Sequence, residues 1–239
     1  MRPDRREDDE VRALHSVLGL LNRADGSAQF SSGRTSVYSG VHGPVGARVY
    51  DEKLDRAYVE VRGRADAGPA GTADRWAESA IRETFERVIA AQLYPRTMVQ
   101  ISVQVREDDG AVDAAAINAT ALALIDAAVP LRDTVAAAAC AVREDGSAIV
   151  DPTLEETREA RSIHTFAFAA SDVTGIADLT AVATAGICPV YVDSRGEFSV
   201  AEYDRCFELC AHAAQRVLAF MRTAIEDKVS KESQIAGSS

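Results

Sequence analysis

The stretch Gly110-Ala111-Val112-Asp113-Ala114-Ala115-Ala116-Ile117-Asn118-Ala119-Thr120-Ala121-Leu122-Ala123-Leu124-Ile125-Asp126-Ala127-Ala128-Val129-Pro130 decides the fold. Between positions 114 and 129 only Asn118, Thr120 and Asp126 are polar. Alanine has the highest helix propensity and loses no side-chain entropy, so the run predicts a helix over 114–129. The run has no polar stripe, and a helix that is apolar all round is buried on several sides. It is too short and too alanine-rich for a membrane span, which needs roughly 20 strongly apolar residues. It therefore reads as a central helix whose small side chains let neighbouring backbones come close. Asp113 is a first-turn acid set against the helix dipole. Pro130 ends the helix, because the residue before a proline is driven out of the helical region. The N-terminus of such a helix is also a docking place for an anion.

Elements fall on both sides of this helix. Upstream, positions 97–106 alternate, with Val99, Ile101, Val103 and Val105 on one face, and predict a strand followed by a turn at 107–110. Positions 74–93 repeat Ala77, Ile81, Phe85 and Val88 at helical spacing with Arg75, Glu78, Arg82, Glu83 and Arg87 outside, which predicts an amphipathic helix. A strand over 57–64 and a loop over 65–71 precede it, and strands over 16–22, 27–30 and 35–42 come earlier still. Downstream, 134–142 and 148–150 form a hairpin over 143–146, and 154–159 reads as a short acidic turn. Strands follow at 163–169, 179–184 and 190–192, then a turn at 193–196. Ser199 and Glu202 have capping-box spacing and open a last helix that runs to about position 226. Residues 1–14 are charge-dense and are expected to be a mobile arm, 15–226 a single domain, and 227–239 a polar tail. The fold class is α+β, a mixed arrangement around the central apolar helix.

The chain has 239 residues and a net charge of −11, from 26 Lys plus Arg against 37 Asp plus Glu. That balance excludes duplex binding by a broad basic face and leaves room for a few local arginine contacts. Cys140, Cys188, Cys206 and Cys210 show no metal-type spacing and read as reduced, mostly buried thiols. The N-terminus has no apolar signal region, and no segment suggests a membrane. No cofactor and no metal site is expected.

Four blocks carry a family resemblance. The first is Asp25-Gly26-Ser27-Ala28, then Gly33-Arg34-Thr35-Ser36-Val37, then Gly40-Val41-His42-Gly43-Pro44. The second is Tyr94-Pro95-Arg96-Thr97; the third is the central helix with Asp126-Ala127-Ala128-Val129-Pro130-Leu131-Arg132-Asp133; the fourth is Ile149-Val150-Asp151-Pro152. In this pattern, spread over roughly 18–221, the chain resembles the RNase PH family of phosphorolytic exoribonucleases, and within it the ring subunits of the eukaryotic exosome. The resemblance implies the RNase PH-like fold (ribosomal protein S5 domain 2-like). It also implies a subunit of a ring of RNase PH-like proteins, capped by S1/KH-type subunits, that channels single-stranded RNA to a separate 3′→5′ nuclease. The processes implied are rRNA maturation and RNA decay, in nucleus, nucleolus and cytoplasm.

Phosphorolysis needs phosphate held by arginine and helix N–H groups, further basic groups on the RNA 3′ end, and an acid beside the leaving oxygen. The family's Gly-Gly-Thr-Arg-Thr-Ala is replaced here by Gly110-Ala111-Val112-Asp113-Ala114-Ala115, so its phosphate-binding arginine falls on Asp113. A carboxylate there repels phosphate. The family's acid follows Gly-Glu-Ala; the matching run is Glu159-Ala160-Arg161, which places Arg161 there. Two readings stay open: Asp113 is a plain helix N-terminal acid and Arg161 a surface arginine, or the two meet as an ion pair that fills the site. The resemblance places Arg64, Arg75 and Arg82 toward the ring's pore as RNA contacts; the plain alternative is a solvated loop and helix face. Trp76 is a stacking candidate or a subunit contact. Glu155, Glu156 and Glu159 suit Mg²⁺ chemically, against the simpler reading of a solvated turn. His164 reads as a satisfied core residue, and His15, His42 and His212 lack triad or metal spacing. Gly68 and Gly71 are too loosely arranged for a nucleotide loop. The rival function is an active phosphorolytic exoribonuclease or a Mg²⁺-dependent nuclease acting as a homodimer.

Overall fold

The computed structural model describes residues 2, 6–64, 72–173 and 189–237, with the side chains of Arg64, 72–74, Trp76, 172–173 and 235–237 left out. The expected loop at 65–71, the expected strand over 179–184 and Cys188 lie outside the described residues. The strands are β1 (Leu14–Leu18), β2 (Gly26–Ser32), β3 (Thr35–Gly46), β4 (Tyr58–Arg64), β5 (Thr97–Glu107), β6 (Val135–Val142), β7 (Ala148–Val150), β8 (Ser162–Ala169) and β9 (Tyr191–Gly196). The helices are α1 (Thr72–Val88), α2 (Val112–Asp126), α3 (Leu154–Glu159), α4 (Ala170–Val173) and α5 (Val200–Gly237), with a 3₁₀ turn at Ala91–Leu93. One sheet runs β1-β2-β3-β5-β4, antiparallel except for the parallel β4/β5 pair; the other runs β7-β6-β8-β9 and is antiparallel throughout.

Helix α2 is the layer between the sheets, packing on β2 and β3 on one side and on β6 and β8 on the other. Every residue from Ala114 to Leu124 is buried. Beyond Asp113 in its first turn, its polar side chains Asn118, Thr120 and Asp126 are all satisfied, as burial requires. Asn118 clamps the backbone of Ala137 in β6, donating to its carbonyl at 2.9 Å and accepting from its N–H at 2.7 Å. Thr120 donates to Ala116 O at 2.8 Å, and Asp126 accepts from the N–H of Ser27 at 2.9 Å. The alanines of β6 face α2 on one side and α5 on the other, and the whole strand is buried. Gly26 starts β2 hard against the end of α2: a Cβ there would lie 2.1 Å from Ala127 N.

Several boundaries differ from expectation for identifiable reasons. Helix α2 stops at Asp126, ahead of the proline, because Ala128 turns left-handed (φ 52°) and Val129 N–H donates back to Leu124 O at 3.1 Å, a Schellman closure. Helix α1 stops at Val88, since Val88 O and Ala90 N–H are taken by Arg132 and Pro130 of the neighbouring segment. The acidic turn at 154–159 is a helix, closed by a capping box in which Thr153 and Glu156 bond each other's backbone N–H. The turn expected at 193–196 is strand: β9 stays paired with β8 from Tyr191 to Gly196. Helix α5 continues to Gly237, and Lys228 ties this extension to Asp126 of α2.

The N-terminal arm is the largest departure, because Arg2 and Arg12 are buried rather than loose. Arg2, 3% exposed, forks onto both carboxylate oxygens of Glu156 (2.9 and 3.0 Å) and donates to the carbonyls of Val150 and Asp151. Arg12 makes a two-point contact with Asp151 at 2.9 and 2.6 Å, and Ser32 donates to the same carboxylate at 2.7 Å. Charge density alone suggests a solvated arm, but each guanidinium here meets a buried carboxylate and several carbonyls.

Candidate functional site

A cleft of about 700 Å³ opens at the N-terminus of α2, between the ends of β5, β9 and α3. Its base is the loop 108–110. Gly110 has φ 88°, and a Cβ there would stand 2.4 Å from Pro152 O, so only glycine lets the loop lie against the start of α3. Ala111 follows in the left-handed region at φ 53° and turns the chain into α2 without any side-chain cap. Arg12 supports this loop from beneath, donating to Asp109 O at 2.8 Å and Gly110 O at 3.3 Å, and Thr35 Oγ1 donates to Gly110 O at 2.7 Å.

Asp113 stands in the first turn of α2 and lines this cleft with Arg106, Asp108 and Arg195. Alternation along β9 sends Tyr191, Asp193 and Arg195 to one face. Arg195 Nη2 lies 3.4 Å from Asp113 and 2.7 Å from Asp193. Burial pushes the Asp113 carboxyl above its usual range; Arg195 opposes this, and Asp193 and Asp108 add to it. Burial, then Asp193, Asp113 and Glu83, push the Tyr191 hydroxyl up to about 12. The cleft is therefore acidic at the place where helix N–H groups would favour an anion.

Arg161 is not part of this group. It donates to the carboxylate of Glu202 and to Glu197 O at 3.2 Å, just beyond the Ser162/Gly196 end of the β8/β9 pair. The ion pair between Asp113 and Arg161 does not form; each charge has another partner closer in the fold. Arg75 is exposed at the start of α1, and Arg82 is half-buried with its Nε lacking a partner among the described residues. Arg64 ends β4, its backbone in register with Gln104. The Mg²⁺ reading of the glutamates fails on Glu156, which is buried under Arg2 and committed to the capping box. Among the described residues no three His, Cys, Asp or Glu side chains are grouped to hold a metal. His164 is fully buried between the hydroxyls of Ser162 (3.1 Å) and Ser194 (2.9 Å), a satisfied core residue. Cys140, Cys206 and Cys210 are buried free thiols between β6 and α5.

Sequence reasoning missed Arg195, Asp193, Arg12 and Asp151. Polar alternation at 191, 193 and 195 was a usable strand signal. Asp151 stands in the fourth resemblance block, but nothing local marks its meeting with Arg12, which depends on the tertiary fold.

The sequence profile of the 3′ exoribonuclease (RNase PH) family, domain 1, matches residues 10–130. The chain belongs to the RNase PH family. Among relatives, the Arabidopsis thaliana protein named exosome complex exonuclease RRP46 homolog is 28% identical over 235 residues, covering 96% of this chain and 98% of the relative. The Schizosaccharomyces pombe exosome complex component rrp46 is 40% identical over 116 residues, 48% of this chain and 51% of that protein. The crystal structure of rice (Oryza sativa) Rrp46 superposes with a TM-score of 0.82 at 27% identity, covering 93% of this chain and 99% of the rice chain. This RNase PH fold thus holds its usual layers, with an acidic cleft at the head of the central helix. No helix among the described residues is long and apolar enough to cross a membrane.

Proposed function

We propose that this RNase PH-like chain is a non-catalytic ring subunit of an exosome complex, helping to guide single-stranded RNA to a separate 3′→5′ exoribonuclease. The observation that carries the reading is Asp113, a carboxylate in the first turn of α2 closed over by Arg195, at the position that family resemblance gives to the phosphate-binding arginine. Phosphate brought to that turn meets like charge in a half-buried site, where repulsion is poorly screened. Arg161 takes the family's acid position but is turned to Glu202, so no proton donor stands beside the cleft from that position. The names of the relatives, exosome complex exonuclease and exosome complex component, support the assembly.

In this reading the partners are other RNase PH-like subunits and S1/KH-type caps, and the locations are nucleus, nucleolus and cytoplasm. Arg75, with Arg64 and Arg82, contacts RNA phosphates along the pore; the exposure of Arg75 supports this. Native mass measurement of the complex purified through this chain tests the assembly. One copy per ring of RNase PH-like proteins is expected, and a lone chain or homodimer with nuclease activity would overturn it.

A further inference from the structure

A second groove, of about 410 Å³, lies well away from the cleft, between β1 and the late part of α5. Leu14, Ser16 and Leu18 form one side, and Phe220, Ala224 and Lys231 belong to the other. Among the described residues β1 is the outermost strand of its sheet, paired only with β2. The ladder fixes which of its backbone groups are free. Gly19 N–H donates to Ser27 O at 2.8 Å and Gly33 N–H to Ala13 O at 3.0 Å, so the odd-numbered residues of β1 exchange bonds with β2. The N–H and C=O groups of Leu14, Ser16 and Leu18 therefore point away from β2, to the open edge. An open edge of this kind is a template for a further strand.

The helix wall reaches Lys231 because α5 is longer than its sequence suggests. The extension beyond position 226 is secured by Lys228, whose ammonium is taken by Asp126 and, at 3.4 Å, by Glu232. Lys231 has no ion partner among the described residues. The groove floor is apolar: Phe220 packs edge-on against Phe30 with ring centroids 6.2 Å apart. Strand edge, helix wall and apolar floor together make the geometry by which proteins take up an extended peptide. We propose that this groove receives an extended segment of another protein, which adds to β1 as a further strand and sets one carboxylate against Lys231. Asp227 lines the same groove, so a run of several acids is disfavoured and a single one is selected.

The test uses the full chain and a fluorescein-labelled heptapeptide of alternating valine and threonine with a glutamate at one end. Comparison peptides carry lysine in place of the glutamate, or N-methyl groups on alternate amides. Fluorescence anisotropy is expected to show saturable binding of the glutamate peptide, lost on N-methylation. Binding should weaken about threefold to fivefold in Lys231→Glu, the range of a partly exposed ion pair. Ser16→Pro removes an outward N–H and no β1–β2 bond, which an edge strand tolerates; it is expected to abolish binding while the melting temperature stays near wild type. If Ser16→Pro does not fold, the N-methylated peptide makes the same distinction on the wild-type chain. No saturable binding of the glutamate peptide, or equal binding of its N-methylated form, overturns the proposal. So does light scattering that shows a dimer of the wild-type chain and a monomer of Ser16→Pro, which would place a second copy on the edge.

Discussion

Arg12 is a cation with its side chain 6% exposed, and its chemistry is that of a keystone between the N-terminal segment and the cleft loop. Removing it strands the Asp151 carboxylate without its main partner. Arg12→Ala is expected to cost roughly 3–5 kcal/mol, the range for breaking a buried pair from one side, measurable by urea unfolding. Burial alone would raise the Asp151 carboxyl, but the hydrogen bonds and charge of Arg12, with Ser32, hold it below its ordinary 3.8. Burial likewise opposes ionisation of Glu156, and Arg2 with the Thr153 N–H holds it below 4.5. A depressed folded value means stability that is present above the unfolded value and lost as pH falls through the folded one. The wild-type melting temperature should therefore hold from neutral pH to about pH 5 and drop below pH 4, a drop that Arg12→Ala reduces. At the other end of α2, Ala128 is exposed and left-handed, a conformation that suits glycine. Ala128→Gly is expected to stabilise by about 1 kcal/mol, because relief of the left-handed strain outweighs the added freedom of the unfolded chain. These residues mark the limit of reading from sequence: Arg2 and Arg12 sit in a run of alternating charges that looks like any solvated arm. What buries them is a partner more than a hundred residues away.

At the scale of elements, α2 is where composition and position agree most closely. A run of alanines and leucines without a polar face can only be a packed interior helix, and it lies between the two sheets with Asn118 locked to β6. Its smallness is the reason both sheets come close. Ala121→Leu is expected to destabilise by about 1–3 kcal/mol through overpacking, read from denaturant midpoints. The strands with strict alternation, β4 and β5, were equally legible. Helix ends were not, since α1 is stopped by hydrogen bonds from 130–132 and α2 by a backbone turn at Ala128. β9 was hidden by its own composition: Asp193-Ser194-Arg195-Gly196 suits a turn, yet as an edge strand it pairs along its length with β8. Reading 193–196 as a turn also hid Arg195, the partner of Asp113 in the cleft. The extension of α5 past position 226 was missed for a related reason, because the tie from Lys228 to Asp126 is tertiary.

For the whole molecule, the proposed RNA contacts would have to come from a few arginines, because the net charge is −11 and the cleft is acidic. Arg75→Glu with Arg82→Glu, introduced into an assembled ring, is expected to shorten the RNA length protected from added nuclease, with assembly unchanged. The family and its layers were legible because they rest on blocks of backbone-dictated residues such as Gly26 and Gly110. The candidate site was legible only in part: Asp113 stands in the sequence block, while the Arg195 beside it depends on β9. The central claim is that the head of α2 no longer serves phosphate. The most direct measurement is release of nucleoside diphosphates from single-stranded RNA by the purified chain, with and without inorganic phosphate. The account predicts no release above buffer at any phosphate concentration, and phosphate-dependent release that disappears on altering residues of the 110–115 turn would contradict it.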